Sequence, residues 1–177
     1  MEHIRYSAAA CQVDMPNPIE RQAMRANTDR MLSMIDSAVT GAAPFLPVRL
    51  VVFPEFAHSA PVFETAEELI EKLAIEIPND HTERLQRKAR EHDIYIQSGS
   101  FLEVDPRWPG HVFNTTCLIG PDGILYKYRK VNTWIPYEVH TSPHDLEGYD
   151  EPLFPVAETP IPDYVMAEPP GRGTFTT

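Results

Sequence analysis

Cysteine is nearly absent: Cys11 and Cys117 are the two in 177 residues. Each sits in an apolar stretch, and two isolated thiols exclude a disulfide framework. No apolar run approaches the ~20 residues that a membrane-spanning helix needs. Positive charge is also in short supply. Fifteen Lys and Arg against 26 Asp and Glu leave a formal charge of −11. Such a balance repels nucleic acid and anionic membrane, so neither is expected as a partner. The basic residues are scattered as well. Arg84 to Arg90 is interleaved with Glu83 and Glu91 and reads as a solvated helix face. The N-terminus lacks a charged segment leading into an apolar one, so no signal peptide is expected, and a cytoplasmic, reducing setting follows.

What the chain does contain is enough for one globular core: 42% hydrophobic and 23% charged residues. Proline is abundant, 18 in all. Pro152, Pro155, Pro160, Pro162, Pro169 and Pro170 crowd the end, where that density excludes a helix or a central strand.

Periodicity gives an alternation of strands and helices. Ile4 to Val13 reads as a buried strand with small residues. Met24, Met31, Ile35 and Ala38 recur near a 3.6 period after Pro16 and Pro18, with Gly41 as a stop. Arg49 to Phe53 is a short apolar run ended by Pro54, the pattern of a strand buried on both faces. Helices are predicted around 65–74 and after Asp80, where Asp80 and Glu83 have capping-box spacing and Leu85 and Ala89 share a face. Ile94 to Phe101, Val112 to Ile119 and Ile124 to Tyr128 follow as strands, the last two joined by the turn Gly120-Pro121-Asp122-Gly123. The expected fold class is α/β with a mixed sheet. Past Ile135 the pattern fades into loop.

Three segments could carry chemistry. Val51-Val52-Phe53-Pro54-Glu55-Phe56 delivers an acid just past the carboxyl end of a strand, where ligands bind in open α/β sheets. Tyr126-Lys127-Tyr128-Arg129-Lys130 places two tyrosines and Lys130 on one strand face, a pocket wall ending in a cation that can hold an oxyanion. Trp134-Ile135-Pro136-Tyr137-Glu138 offers a second acid in an aromatic loop. Taken singly, each also reads as something plainer: a surface glutamate, a hairpin strand with exposed basic residues, a loop. His140 and His144 flank Pro143, which spoils i, i+4 ligand geometry, so no metal and no cofactor are expected. His58, His81, His92 and His111 are isolated and read as surface or supporting groups.

Taken in order, these segments resemble the nitrilase superfamily of carbon–nitrogen hydrolases, its amidase and nitrilase branches above all. The matching stretches are Leu50 to Phe56, Ile77-Pro78 with the helix after it, Asn114 to Gly123, Tyr128-Arg129-Lys130 and Pro136-Tyr137-Glu138. The resemblance implies the N-terminal portion of an αββα sandwich over residues 1–161. It implies Glu55 as general base, Lys130 as oxyanion stabiliser and Glu138 as the supporting acid. It also implies a small amide or nitrile substrate hydrolysed through a cysteine thioester, and a homo-oligomer assembled through the sandwich.

The departure is the nucleophile. The family's cysteine follows the lysine by roughly thirty residues at the end of a strand. Pro160 to Pro169 holds no cysteine, and Pro162 to Thr177 reads as an unrelated Pro-rich tail. Cys11 and Cys117 read as small core residues. The expectation is a hydrolase domain truncated or frameshifted before its nucleophile and inactive as given. The alternative is a catalytically dead member that binds a ligand or a subunit. A domain lacking half its sandwich would leave an apolar sheet face exposed, and marginal stability is expected of it.

Overall fold

The computed structural model describes residues 5–134 and 138–151. Five strands form one sheet in the order β1-β2-β3-β4-β5: β1 (Ser7–Ala10), β2 (Val48–Val52), β3 (Tyr95–Glu103), β4 (Phe113–Gly120) and β5 (Gly123–Arg129). The first three run parallel and the last two antiparallel to their neighbours, so the sheet is mixed. Parallel neighbours need crossovers. Helix α1 (Met24–Ala42) supplies one between β1 and β2. Helices α2 (Ala66–Lys72) and α3 (Asp80–His92) lie between β2 and β3. Among the described residues no helix is long and apolar enough to cross a membrane. The proline-rich tail assigned to 162–177 lies outside the described residues.

The periodicity marks the core. Met31 and Ile35 of α1 and Leu85 and Ala89 of α3 pack with Val51, Ile96, Cys117 and Ile119 of the sheet. A second cluster joins Leu69, Leu73 and Ala74 at α2 to Leu102 and Val112. Two expectations shift. The capping box of α3 begins one residue early: Asn79 Oδ1 accepts from the Thr82 N–H at 3.0 Å, and Thr82 Oγ1 accepts from the Asn79 N–H at 2.9 Å. Thr82 is small enough to turn back on the cap, so Asp80 and Glu83 are left to favour the helix N-terminus by charge. β2 is not buried on both faces. Val48 and Val51 are buried, whereas Leu50 and Val52 stay partly exposed because the helices cover only the other side of the strand.

Ile124 packs on the core at the start of β5, and charge anchors the strand's end. Arg129, whose side chain is 1% exposed, donates to Glu103 at 2.8 and 2.9 Å and to Asp105 at 2.6 Å, and lies 4.2 Å above the Phe113 ring. Lys127 also donates to Glu103. Arg107 pairs with both Asp105 and Glu151. The reading of Lys127 and Arg129 as ordinary exposed basic residues therefore fails for Arg129. Strand alternation turns it into a site where two acids already wait. Burial alone would raise the Glu103 carboxyl, but Arg129, Lys127 and Thr115 outweigh it and hold it low. The Arg107 guanidinium, with Arg129, holds Asp105 well below the usual carboxylate range.

Removing one partner of such a set strands the rest. Arg129→Met is expected to cost about 3–5 kcal/mol at pH 7, read from urea unfolding. These acids bind protons less readily folded than unfolded, so their contribution is present at neutral pH, begins to be lost as pH falls through the ordinary carboxylate range and is gone only below their lowered folded values. The deficit of the variant should therefore shrink toward pH 4. A deficit that does not change with pH would contradict the charge network as the anchor.

Candidate active site

The topology collects the candidate residues at one sheet edge. β3 runs parallel to β2 and antiparallel to β4, and β4 antiparallel to β5, so β2 and β5 end on the same side. Glu55 follows β2, Lys130 follows β5, and Asn114 is the second residue of β4 between them. The Lys130 N–H donates to the Asn114 carbonyl at 2.8 Å, extending the β4–β5 ladder by one residue.

Glu55 sits at a turn with unusual backbone. The Ala57 N–H donates to the Pro54 carbonyl at 3.3 Å, and Phe56 between them has φ 61°. A non-glycine residue there costs on the order of 1–3 kcal/mol and persists only where its surroundings fix it. Two contacts do so. The Phe56 N–H donates to Ser100 Oγ at 2.8 Å, and the Phe56 ring stacks on His140 at 6.1 Å. The turn also lies against Gly99 (φ 72°), where a Cβ would fall 2.5 Å from the Pro54 oxygen and 2.8 Å from the Ala57 Cβ. An isolated glycine in a strand pattern signals such close approach.

The three acid and base residues named from the sequence meet. Lys130 Nζ donates to Glu55 Oε1 at 2.9 Å and to Glu138 Oε1 at 2.8 Å. Glu138 is 5% exposed at its side chain, Lys130 28% and Glu55 47%. Glu138 also closes its own loop: its Oε2 accepts the Trp134 N–H, and its N–H donates to the Trp134 carbonyl at 3.0 Å. Pro136 and Tyr137 of that motif lie outside the described residues. Burial alone would lower Lys130, yet its bonds to Glu138 and Glu55 outweigh it and keep the ammonium charged. Burial would raise Glu138, but Lys130 and the Trp134 N–H hold it low.

A cleft of about 250 Å³ opens beside this set, lined by Phe53, Glu55, Ser100, Asn114, Tyr128 and Lys130 among others. The sequence reading gave Asn114, Gly99 and Ser100 no role. Asn114 stood inside a matching stretch, and its Nδ2 donates to Glu55 Oε1 at 2.6 Å. Ser100 carried no signal, since a serine in a strand is unremarkable until the turn that needs it is in place.

Neither cysteine reaches the cleft. Cys117 points from β4 into the helix-covered core, and burial pushes its thiol up to about 12. Cys11 is also in that core and raised by burial. Of the histidines read as surface or supporting groups, His58 is not at the surface. His58 is fully buried, stacks on Phe101 at 3.8 Å and lies 3.1 Å from the Ser98 carbonyl, with burial lowering it to about 3. His140 is buried beside Glu138, with burial lowering it to about 4 and no hydrogen-bond partner on either ring nitrogen among the described residues. Among the described residues the one cluster with metal-ligand spacing is Asp36, Glu91 and His92 at the far surface, where Lys88 and His92 already occupy Asp36 Oδ1.

Both imidazoles stay neutral when folded, while unfolded histidine takes a proton near pH 6.5. Stability is therefore unaffected above that range and falls as pH drops through it, down to the folded values. Between pH 7 and 4.5 the urea midpoint should fall, each histidine contributing on the order of 2 kcal/mol. His140→Phe, which keeps the stack on Phe56, should remove about half of that drop. An equal drop in the variant would sink the assignment.

A family model described as Carbon-nitrogen hydrolase matches residues 7–165. Omega-amidase NIT2 from Homo sapiens is 36% identical over 107 residues, 60% of this chain and 34% of its own length. A formamidase from Pseudomonas syringae is 29% identical over 128 residues, 72% of this chain and 35% of its own. The crystal structure of Saccharomyces cerevisiae Nit3, a member of branch 10 of the nitrilase superfamily, superposes with TM-score 0.61 at 22% identity, covering 76% of this chain and 47% of that one. The chain spans about a third of the length of these curated relatives. With the family model matched across most of the sequence, the chain belongs to the carbon-nitrogen hydrolase family.

Proposed function

We propose that this chain carries the glutamate–lysine–glutamate part of a site that hydrolyses a small amide or nitrile through a thioester, and that the chain alone binds such a compound without turning it over. The observation that carries the reading is one ammonium, Lys130, shared between Glu55 and Glu138 at the mouth of a cleft sized for a small molecule.

The roles follow from charge and position. A thiol gives its proton to Glu55 and its sulfur attacks the carbonyl carbon. The carbonyl electron pair moves onto oxygen, where the Lys130 ammonium stabilises it. The C–N bond breaks, and the leaving nitrogen takes the proton from Glu55 and departs as ammonia. Water then gives a proton to Glu55 and attacks the thioester, the C–S bond breaks, and the thiol is restored. Glu138 keeps Lys130 charged and aimed. The thiol is the missing part: Cys11 and Cys117 are buried in the helix-side core, and residues 152–177 contain no cysteine. Binding without turnover is the form of the alternative reading that this observation favours.

Two measurements test this. Titration with propionamide or propionitrile should give saturable shifts in the ¹H–¹⁵N spectrum at Tyr128, Lys130 and Asn114. Lys130→Met should weaken that binding about tenfold or more, as loss of a charged hydrogen bond does. Ammonia release by the chain alone should stay at background. Shifts scattered away from the cleft would refute the binding site. Release that depends on Lys130 would refute the inactivity and call for another nucleophile.

A further inference from the structure

The two oxygens of Glu55 are not equivalent. Oε1 accepts from Lys130 Nζ at 2.9 Å and from Asn114 Nδ2 at 2.6 Å. Among the described residues none donates to Oε2. A carboxylate oxygen offers two lone-pair sites, so two N–H donors fill Oε1. Asn114 is itself buried at the start of β4, and its carbonyl accepts the Lys130 N–H at 2.8 Å. One residue thus fixes both the backbone that carries the lysine and the carboxylate that the lysine faces.

We propose that Asn114 is the positioning residue of this site: with Lys130 it saturates Oε1 of Glu55 and leaves Oε2 as the oxygen that takes and returns the proton. The inference rests on the reading of Glu55 as general base. Lys130 alone does not set the carboxylate plane, because an ammonium on a four-carbon stem is a point charge with rotatable donors. A second donor from a rigid strand does. An amide suits the task because it never ionises, so it holds the geometry at any pH without competing for the proton. The position also accounts for an asparagine in a strand, where that residue is disfavoured, and for a buried amide that needs a partner.

The test is a titration of the intact chain, labelled with ¹³C at its carboxyl groups and ¹⁵N at Lys130 Nζ, as wild type and as Asn114→Asp. The substitution is nearly isosteric but sets two carboxylates at contact distance. Like charges that close do not both ionise, and they titrate as a coupled pair. Asn114→Asp should therefore gain a carboxyl step above the ordinary range of about 4, sensed by Lys130 Nζ and abolished by adding Glu55→Gln. An introduced carboxylate that titrates in the ordinary range, with or without Glu55, would overturn the assignment. Should Asn114→Asp not fold, the wild-type chain decides the same question. One Asn114 Hδ2 signal should track the Glu55 carboxyl through its titration and stay fixed in Glu55→Gln, and a signal indifferent to Glu55 overturns the proposal. Neither readout needs turnover or ligand. Loss of the coupled step would refute Asn114 while leaving amide binding intact. A chain that shows the step but binds no amide would refute the proposed function instead.

Discussion

Burying one guanidinium organises the working edge of this sheet. Arg129 has almost no contact with water, so its charge must be met inside the protein, and Glu103, Asp105 and Glu151 meet it. Those partners come from the end of β3, from the loop after it and from the segment before residue 152. The requirement of a single cation therefore fixes three parts of the chain against the last residue of β5. Strand alternation then decides the next residue. With Arg129 drawn to one side, Lys130 emerges on the other, beside Asn114 and facing the turn after β2.

Glu55 meets it there because a second constraint acts on the far side of β3. The turn at Pro54 presses on Gly99 so closely that no side chain fits between, and Phe56 takes a backbone conformation that asparagine or glycine would adopt more easily. Ser100 and His140 hold it in place. Strained backbone of this kind clusters at functional sites, and here it aims one carboxylate at one ammonium. The result is a small ionic site with one cation shared by two acids. One lysine stands between two acids, and the more deeply buried of them also receives a backbone N–H.

The relatives place limits on what one sheet accomplishes. The chain covers about a third of the omega-amidase and formamidase sequences it matches and about half of the Nit3 structure. Its sheet carries helices on one face, while Leu50, Val52, Tyr126 and Tyr128 remain partly exposed on strands whose other residues are buried. The fold described is thus one mixed sheet with its helices, as expected of the N-terminal portion of a sandwich.

Much of this was legible in the sequence. The first helix announced itself by a 3.6 period, the third by its cap spacing and the hairpin by its turn residues, because burial of one helical face, capping and tight-turn chemistry are local requirements. Glu55, Lys130 and Glu138 were legible through their order along the chain. Their contact was not, because it depends on β2 and β5 ending at the same edge, which strand order and direction decide. The misreadings share that cause. Arg129 looked exposed because arginine usually is, and its partners Glu103 and Asp105 lie 24 to 26 residues away. His58 looked isolated because stacking on Phe101 joins separate elements, and the stack of Phe56 on His140 left no sequence signal for the same reason. Sequence by itself determined which segments form strands and helices and which side chains carry charge. Tertiary structure alone decided which charges are buried together, since burial belongs to the assembled sheet and not to any stretch of chain.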